Sequence, residues 1–180
     1  ADDMTRPLCD YFVASSHNTY LEGDQFASES SVKRYIDDLC DGCRCVELDA
    51  WDGDNGEPII YHGRTLTGRI PLRSVVVAVK KWAFHASPYP VVLSLENHCS
   101  LAQCDALASI LTSVLGPALL LPDDPLLDQT SPTRPLPSPD LLKRRVLLKG
   151  KVRAGKECEQ QLCSRADRVS HLDPARPCPT

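Results

Sequence analysis

Two acidic residues lie two positions apart in a stretch whose other residues are typical of a buried strand. The stretch is RCVELDAW, residues 44–51, and the acids are Glu47 and Asp49. Side chains two apart in a strand leave the same face of the sheet. Two carboxylates on one face repel each other and lose hydration unless a cation or hydrogen-bond donors compensate. The spacing therefore predicts either a cation site or a salt-bridged pair at a strand end.

Other oxygen-bearing side chains follow other predicted strands. Glu96 lies near the end of the apolar run PVVLSLENH, and Asn18 follows the run DYFVASS. With the two acids above they form a set of oxygen ligands that lacks thiolates and imidazoles, which suits Ca²⁺ or Mg²⁺. The high proportion of carboxylates favours Ca²⁺. The expected ligands are Asn18, Glu47, Asp49 and Glu96.

Two histidines and two lysines complete the set of residues that could do chemistry. His17 and His62 each follow a predicted strand, and such a pair can stabilise an oxyanion and protonate a leaving group. Lys149 and Lys151 would share one face of a strand, where two ammonium groups can hold phosphate. Taken singly, each histidine could be a turn residue and each lysine a solvated side chain. Beside a cation site, the whole set predicts phosphoryl transfer.

An alternation of strands and helices must position these side chains. Apolar runs predict strands over 10–16, 44–51, 59–63, 90–98 and 144–151. Helical periodicity predicts helices over 30–42, 71–87 and 100–116, and a short helix before the last strand. This alternation favours a parallel α/β sheet covered by helices on both faces. The polar residues follow the carboxyl ends of the strands, where such folds build their sites.

Composition and charge narrow the class of protein. The chain has 180 residues, 42% of them hydrophobic, which is enough for one sizeable core. No run of 18 uninterrupted apolar residues occurs, so we expect membrane contact to be peripheral. From Lys143 onward the sequence has ten Lys and Arg and four Asp and Glu, a net charge of +6. Residues 1–142 therefore have a net charge of −10. The basic part could meet phosphate or anionic lipid, or be an ordinary basic linker.

Several other classes of function find no support. The chain has no P-loop and no GxGxxG after a strand. Its acidic first part and scattered aromatic residues argue against nucleic acid as a partner. Nine cysteines, an odd number, without a secretory signal at the N-terminus predict reduced thiols in a cytoplasmic protein.

Five segments also carry a family resemblance. SSHNTYL, GCRCVELDAWDG, EPIIYHG, ASPYPVVLSLENHCS and RRVLLKGK resemble the signature segments of the X region of eukaryotic phosphoinositide-specific phospholipase C, most similar to the delta type. The resemblance implies a parallel (β/α) barrel of TIM type, of which residues 1–151 form only the N-terminal half, with about five strands. Residues 152–180 match no family motif and are predicted to be a disordered, linker-like tail.

The resemblance also implies a reaction. It is the calcium-dependent hydrolysis of phosphatidylinositol 4,5-bisphosphate to inositol 1,4,5-trisphosphate and diacylglycerol, through a cyclic inositol phosphate. His17 would stabilise the pentacoordinate phosphate, and His62 would protonate the diacylglycerol oxygen. Glu47 would be the base for the inositol 2-hydroxyl, and Lys149 and Lys151 would contact the ring phosphates. Ca²⁺ would be held by the four oxygen ligands named above.

The family's Y region, which completes the barrel, has no counterpart in the sequence. Because half a barrel leaves strand edges open, we expect the isolated chain to be inactive or very weak, and the Y half or another chain to pair with the open edge. The alternative is a truncated, catalytically inactive fragment that binds lipid or regulates. Either way, the expected partner is a phosphoinositide of the inner membrane leaflet, contacted peripherally from the cytoplasm.

Overall fold

The structure, a computed structural model, describes residues 3–24, 26–127 and 136–150. In this part of the chain the helices are α1 (Val32–Cys40), α2 (Leu72–Trp82) and α3 (Leu101–Leu115). The strands are β1 (Cys45–Trp51), β2 (Ile59–Ile60), β3 (Ile70–Pro71), β4 (Val91–Asn97) and β5 (Val146–Gly150). They form one sheet in the order β3-β2-β1-β4-β5.

The sheet is mixed, which corrects the prediction of an all-parallel sheet. β1, β4 and β5 are parallel neighbours, whereas β2 pairs antiparallel with β1 and β3 antiparallel with β2. The chain between β1 and β2 forms only a tight 3₁₀ turn at Asp54–Gly56, in which Asn55 has a φ of 58°. A parallel crossover needs a dozen or more residues, so this short link allows only a hairpin.

Two predicted elements differ from the prediction, and one observed strand was not predicted. The predicted strand 59–63 is shortened to the two residues of β2, because the chain turns away after Ile60 to form the loop that carries His62. β3 was not predicted, since it has only two residues. The predicted short helix before the last strand is a series of turns over 139–144.

The predicted strand 10–16 does not form. Its residues run beside β1 and make one parallel bridge, between Ser15 and Cys45. The carbonyl of Ala14 accepts hydrogen bonds from the N–H groups of Arg44 and Cys45, at 2.8 and 3.1 Å. No described strand pairs with the opposite side of this segment, and Phe12 is fully exposed. Without a second neighbour, the apolar run has nothing to pack against.

The three helices begin close to where the sequence predicts, and α1 and α3 also end there, whereas α2 ends at Trp82, five residues before the predicted end. The Ser31 side chain caps α1 by accepting a hydrogen bond from Lys33 N at 3.0 Å. Gly42 follows α1 with a φ of 100°, and Gly116 ends α3 with a φ of 56°. Both glycines adopt left-handed conformations that cost other residues more, and this explains why they stop the helices.

The two faces of β1, β4 and β5 differ sharply in character. Side chains of one face lie in the core that the helices cover; they are Val46, Leu48, Ala50, Leu93, Leu95 and Val146, all at most 7% exposed. The other face, called here the polar face, carries Glu47, Asp49, Ser94, Glu96 and Lys149. Strand alternation thus separates a core for stability from a surface for chemistry.

α3 is the most apolar helix of the described chain. Leu101–Ala118 is, within the described ranges, the one segment long and apolar enough to cross a membrane by length and composition. The core helix of a soluble protein passes the same test. Leu107, Ile110, Leu111 and Leu115 of α3 are buried in the core that it shares with β4. By length and composition alone, the predicted absence of a spanning helix is therefore not confirmed, whereas these buried side chains place α3 in the core.

Arg44, which directly precedes β1, donates hydrogen bonds to the C-terminal ends of two helices. Its guanidinium donates to the carbonyl of Leu39 at 3.0 Å, near the end of α1, and to that of Ala83 at 2.6 Å, just after α2. These carbonyls belong to helix ends that lack partners within the helix. Burial lowers the pKa of Arg44 from its ordinary value.

The cysteines depart in part from the predicted reduced state. Free thiols are Cys9, Cys40, Cys43, Cys45 and Cys99. Cys104, on α3, is disulfide-bonded.

Candidate active site

The predicted acidic residues meet across the two central strands of the polar face. In the register of β1 and β4, Glu47 lies opposite Ser94 and Asp49 lies opposite Glu96. β5 extends the first row, since Lys149 lies opposite Ser94. Residues paired in register lie on the same face and are about 5 Å apart. The three acids and Lys149 therefore lie on one small area, as the strand-end argument predicts.

The segment before α1 brings His17 and Asn18 to Glu47. Asn18 is buried, with a φ of 47°, and its N–H donates to Glu47 Oε2 at 2.7 Å. His17 Nε2 lies 3.8 Å from the same oxygen, and the His17 side chain is 75% exposed. The left-handed conformation of Asn18 turns the backbone so that its N–H and the imidazole both approach one carboxylate. The structure thus joins three predicted site residues directly.

Asp49 lies in a buried hydrogen-bond network that the sequence did not indicate. The Tyr20 hydroxyl donates to Asp49 Oδ2 at 2.6 Å and lies 3.2 Å from Asn18 Oδ1. Burial raises the pKa of Asp49, opposed by the Tyr20 hydrogen bond and reinforced by the charges of Glu47 and Glu96. Burial likewise raises the pKa of Tyr20, so this hydroxyl stays a donor.

The oxygens of this network fit a hard cation in type. Asp49 Oδ1 is buried without a hydrogen-bond partner, and three carboxylates share the area. An orphaned carboxylate oxygen among like charges is stabilised by a divalent cation. In the described ranges, however, no three His, Cys, Asp or Glu side chains are arranged to hold a metal ion as they stand. The ligand types are therefore present, and the coordination shell is not preassembled.

His62 is carried by the loop that follows β2. Its N–H donates to Thr67 Oγ1 at 3.3 Å, and its carbonyl accepts from Thr65 Oγ1 at 2.5 Å. The preceding residue, Tyr61, donates its N–H to the carbonyl of Asp49 at 3.4 Å. The hairpin from β1 thus returns the chain to the acidic strand end and places His62 there. Thr65 and Thr67 were not predicted, because their partner is the local backbone.

Two exposed apolar side chains lie beside the His62 loop. Leu66 is 89% exposed and Phe26 is 76% exposed. They are neighbours, since Leu66 N donates to the carbonyl of Phe26 at 3.0 Å. The sequence analysis did not predict this pair. A single apolar residue within each of the two polar turn segments could have indicated it. Exposed apolar pairs at the edge of a site are typical of a surface that meets lipid or protein.

The predicted lysine pair can be located only in part. Lys149 is exposed on the polar face, in the row of Glu47 and Ser94. Lys151 lies outside the described residues. Ser94 was not predicted, although its position two before Glu96 in a strand places it on the same face.

Comparison with protein families gives a match over most of the chain. The family model described as phosphatidylinositol-specific phospholipase C, X domain, matches residues 4–152. The chain is 56% identical over 149 residues to 1-phosphatidylinositol 4,5-bisphosphate phosphodiesterase delta-4 of Xenopus laevis, covering 83% of this chain and 19% of that protein. It is also 56% identical over 153 residues to the delta-1 protein of Rattus norvegicus, covering 85% and 20%. The chain thus spans about a fifth of the length of these relatives.

Solved structures agree with this match. The crystal structure of S. officinalis PLC21 superposes with a TM-score of 0.78 at 41% identity, covering 94% of this chain and 21% of that one. A calcium-dependent phosphoinositol-specific phospholipase C from Pseudomonas has a TM-score of 0.62, covering 82% and 58%. At 18% identity, this second likeness shows a shared fold only.

Proposed function

Because the chain belongs to the X-domain family of phosphatidylinositol-specific phospholipase C, we propose that it provides the central catalytic residues of a calcium-dependent phosphoinositide phosphodiesterase. The proposed reaction converts phosphatidylinositol 4,5-bisphosphate to diacylglycerol and a cyclic inositol phosphate, which water then opens to inositol 1,4,5-trisphosphate. One observation carries the proposal: Glu47 Oε2 accepts from Asn18 N at 2.7 Å and lies 3.8 Å from His17 Nε2. A carboxylate and an imidazole are thereby held side by side.

Glu47 and His17 would act on the first step. The Glu47 carboxylate takes the proton of the inositol 2-hydroxyl, which then attacks the phosphorus. The Asn18 N–H holds one carboxylate oxygen and leaves the other for the substrate. The exposed His17 imidazole stabilises the charge that develops on the phosphate oxygens.

His62 would complete bond cleavage by protonating the glycerol oxygen that leaves. An alkoxide of this kind is a poor leaving group, so a positioned acid contributes strongly. The threonine contacts on both sides of His62 support this role, because they fix its backbone. Lys149, in the row beside Glu47, would bind a ring phosphate. Lys151, which lies outside the described residues, is proposed for the same role.

The cation would be held by the oxygens of Asn18, Glu47, Asp49 and Glu96. When bound, Ca²⁺ supplies positive charge that neutralises the phosphate and lowers the pKa of the attacking hydroxyl. The orphaned Asp49 Oδ1 supports this assignment. The hydrogen bonds that now occupy Glu47 and Asp49 would have to adjust on binding.

The described strands would form half of a TIM-type barrel spanning residues 1–151, with 152–180 as a linker-like tail that lies outside the described residues. Among described residues, β5 meets only a single bridge from Leu119 on the side away from β4. Leu148 is 38% exposed on the face that helices cover elsewhere. A cavity of about 300 Å³ there is lined mainly by leucines of α3, of the loop 119–127 and of β5. The Y half would pair with this edge and cover these leucines.

Phe26 and Leu66 would insert into the membrane surface next to the substrate. Their exposure and their contact with the His62 loop support this role. The protein would then act peripherally at the cytoplasmic leaflet, where phosphoinositides lie.

The function is tested with a chimera in which residues 4–152 replace the matching region of the Xenopus laevis relative. Product release from phosphatidylinositol 4,5-bisphosphate vesicles is measured with Ca²⁺ and with chelator. We expect turnover that needs Ca²⁺ and falls about 10²–10⁴-fold in His17→Ala or His62→Ala. Turnover that survives both substitutions would contradict the assignment.

A second candidate is a non-catalytic fragment that binds lipid. Its support is the basic balance of +6 from Lys143 onward, together with Lys149 and Lys151, which suits contact with anionic lipid. If it is right, the isolated chain binds phosphoinositide vesicles without forming product, and binding persists in His17→Ala and His62→Ala. Loss of vesicle binding in these variants would argue against it.

A further inference from the structure

The indole of Trp51 lies between the two strand ends that carry the candidate catalytic groups. On the β4 side it stacks on the His98 ring, with centroids 4.2 Å apart and planes at 16°. On the β2 side it contacts the Tyr61 ring at 5.5 Å, tilted by 54°. Trp51 is the last residue of β1, two positions after Asp49. One side chain therefore spans from one strand end to the other.

Gly63 shows how closely the indole meets the His62 loop. A Cβ atom on Gly63 would lie 2.0 Å from Trp51 Cζ2 and 2.6 Å from Trp51 Cε2. These distances are far below van der Waals contact, so the indole occupies the place of a side chain at position 63. The backbone at Gly63 thus rests directly on the ring.

Trp51 contacts the residues on both sides of His62 in the sequence. The residue before it, Tyr61, and the residue after it, Gly63, both meet Trp51. In addition, the His62 N–H donates to Thr67 Oγ1, and the His62 carbonyl accepts from Thr65 Oγ1. The loop therefore has a fixed position relative to the end of β1.

The same ring also reaches the strand that carries Glu96. His98, stacked on Trp51, donates its N–H to the carbonyl of Ala50 at 2.8 Å. His98 Nε2 lies 3.7 Å from Glu96 Oε2. A chain of direct contacts thus runs from the His62 loop through the indole to the Glu96 carboxylate.

We propose that Trp51 is a positioning residue, which fixes His62 relative to the carboxylates of β1 and β4, and that Gly63 is required because the indole fills its side-chain space. This inference rests on the proposed function of His62 as the acid that protonates the leaving oxygen. Proton transfer to the leaving group depends on distances within hydrogen-bond reach, so a small displacement of the loop would slow that step selectively. An ordinary packing role for Trp51 would instead affect stability and all steps alike.

The first test uses the 180-residue chain itself and needs no activity. The histidine Cε1–H signals are followed by NMR in Trp51→Phe, in Gly63→Ala and in the control Trp82→Phe, whose ring lies 5.3 Å from that of His85. We expect the His62 signal to shift or broaden in both site variants and to stay unchanged in Trp82→Phe. A His62 signal that is unmoved in Trp51→Phe and Gly63→Ala, while His98 responds to Trp51→Phe, would overturn the proposal.

The second test uses the chimera and two substrates that differ in their leaving group. The lipid substrate loses an alkoxide that needs a proton, whereas an inositol phosphodiester with a p-nitrophenyl group loses a stable phenolate. In Trp51→Phe we expect kcat for the lipid to fall by about 10²-fold, kcat for the aryl ester to change little, and KM to stay constant for both. Equal losses on the two substrates would show a merely structural role. A wild-type chimera inactive on both substrates would contradict the proposed function, and the NMR result would still decide the role of Trp51.

Discussion

The Tyr20 hydroxyl donates a 2.6 Å hydrogen bond to Oδ2 of Asp49, and the other oxygen of this buried carboxylate has no hydrogen-bond partner. Asp49 is thus a buried carboxyl group with only one of its two oxygens in a hydrogen bond. Such an arrangement costs stability in the protein alone and is useful only if something binds the second oxygen.

Asp49→Asn should therefore stabilise the metal-free chain at neutral pH. Burial raises the pKa of Asp49 above its ordinary value of 3.8, so the folded state holds the proton more tightly than the unfolded state. Its contribution to stability is present below pH 3.8 and is lost as the pH rises through the folded pKa. We expect the variant to gain about 1 kcal/mol at pH 7 and to gain little at pH 3.5 in urea unfolding.

The control for this prediction is Asp140→Asn, which changes an exposed carboxylate paired with Lys143. This control should change stability by less than about 0.5 kcal/mol. A loss of stability in Asp49→Asn at pH 7 would mean that the charge of Asp49 is already compensated in the absence of metal.

Arg44→Met should weaken the fold without touching the site. The substitution keeps a long apolar side chain and removes the guanidinium that donates to the carbonyls of Leu39 and Ala83. We expect a loss of about 3 kcal/mol in the free energy of unfolding, because two buried acceptors lose a charged partner. Arg73→Met is the matched control, since Arg73 is half exposed and pairs with Glu57 at the surface. Similar losses in the two variants would contradict the role of Arg44.

Phe26→Ser and Leu66→Ser should weaken membrane binding selectively. Each removes an exposed apolar side chain beside the His62 loop, and each should reduce vesicle binding of the chimera about tenfold. Hydrolysis of a soluble inositol phosphodiester should stay unchanged, because this substrate does not require the protein to bind a membrane. Phe12→Ser is the control: Phe12 is fully exposed but lies before Ala14, beside the beginning of β1. An equal effect of Phe12→Ser would remove the case for a specific insertion surface.

The isolated chain should show no measurable hydrolysis of phosphatidylinositol 4,5-bisphosphate with Ca²⁺, whereas the chimera should be active. The reason is that, among the described residues, β5 meets only a bridge from Leu119 on its outer side and Leu148 is exposed, so the site would lack the walls that the proposed Y half supplies. Both proteins are assayed at equal concentration on the same vesicles. Robust calcium-dependent turnover by the isolated chain would show that the open edge does not limit catalysis.

Local patterns in the sequence predicted most of the fold. α1, α2, α3, β1, β4 and β5 all lie within the predicted ranges, because helical and strand periodicity are properties of neighbouring residues. The all-parallel sheet was wrong because the direction of β2 depends on the length of one turn. The predicted strand 10–16 failed because a strand needs neighbours, and the sequence does not state which neighbours exist.

The sequence also predicted which acidic residues of the candidate site lie close together. The meeting of Asp49 and Glu96 followed from the rule that parallel strands end at one edge. The partners that orient these groups were not predictable, since Tyr20 reaches Asp49 and Trp51 reaches His98 across contacts that have no periodicity. The positions of polar residues along the predicted strands therefore indicated the candidate groups, and only the structure showed which side chains hold them in place.

The central claim is that carboxylates of β1 and β4 share one Ca²⁺ beside His17. It is tested by calorimetric titration of Ca²⁺ into the purified chain, its Glu47→Gln and Glu96→Gln variants, and the control Glu57→Gln, whose carboxylate pairs with Arg73 at the surface. The account predicts a single saturable site in the wild type and in Glu57→Gln, and a loss of affinity of at least about tenfold in each site variant. No saturable binding, or binding that is unchanged in Glu47→Gln and Glu96→Gln, would contradict it.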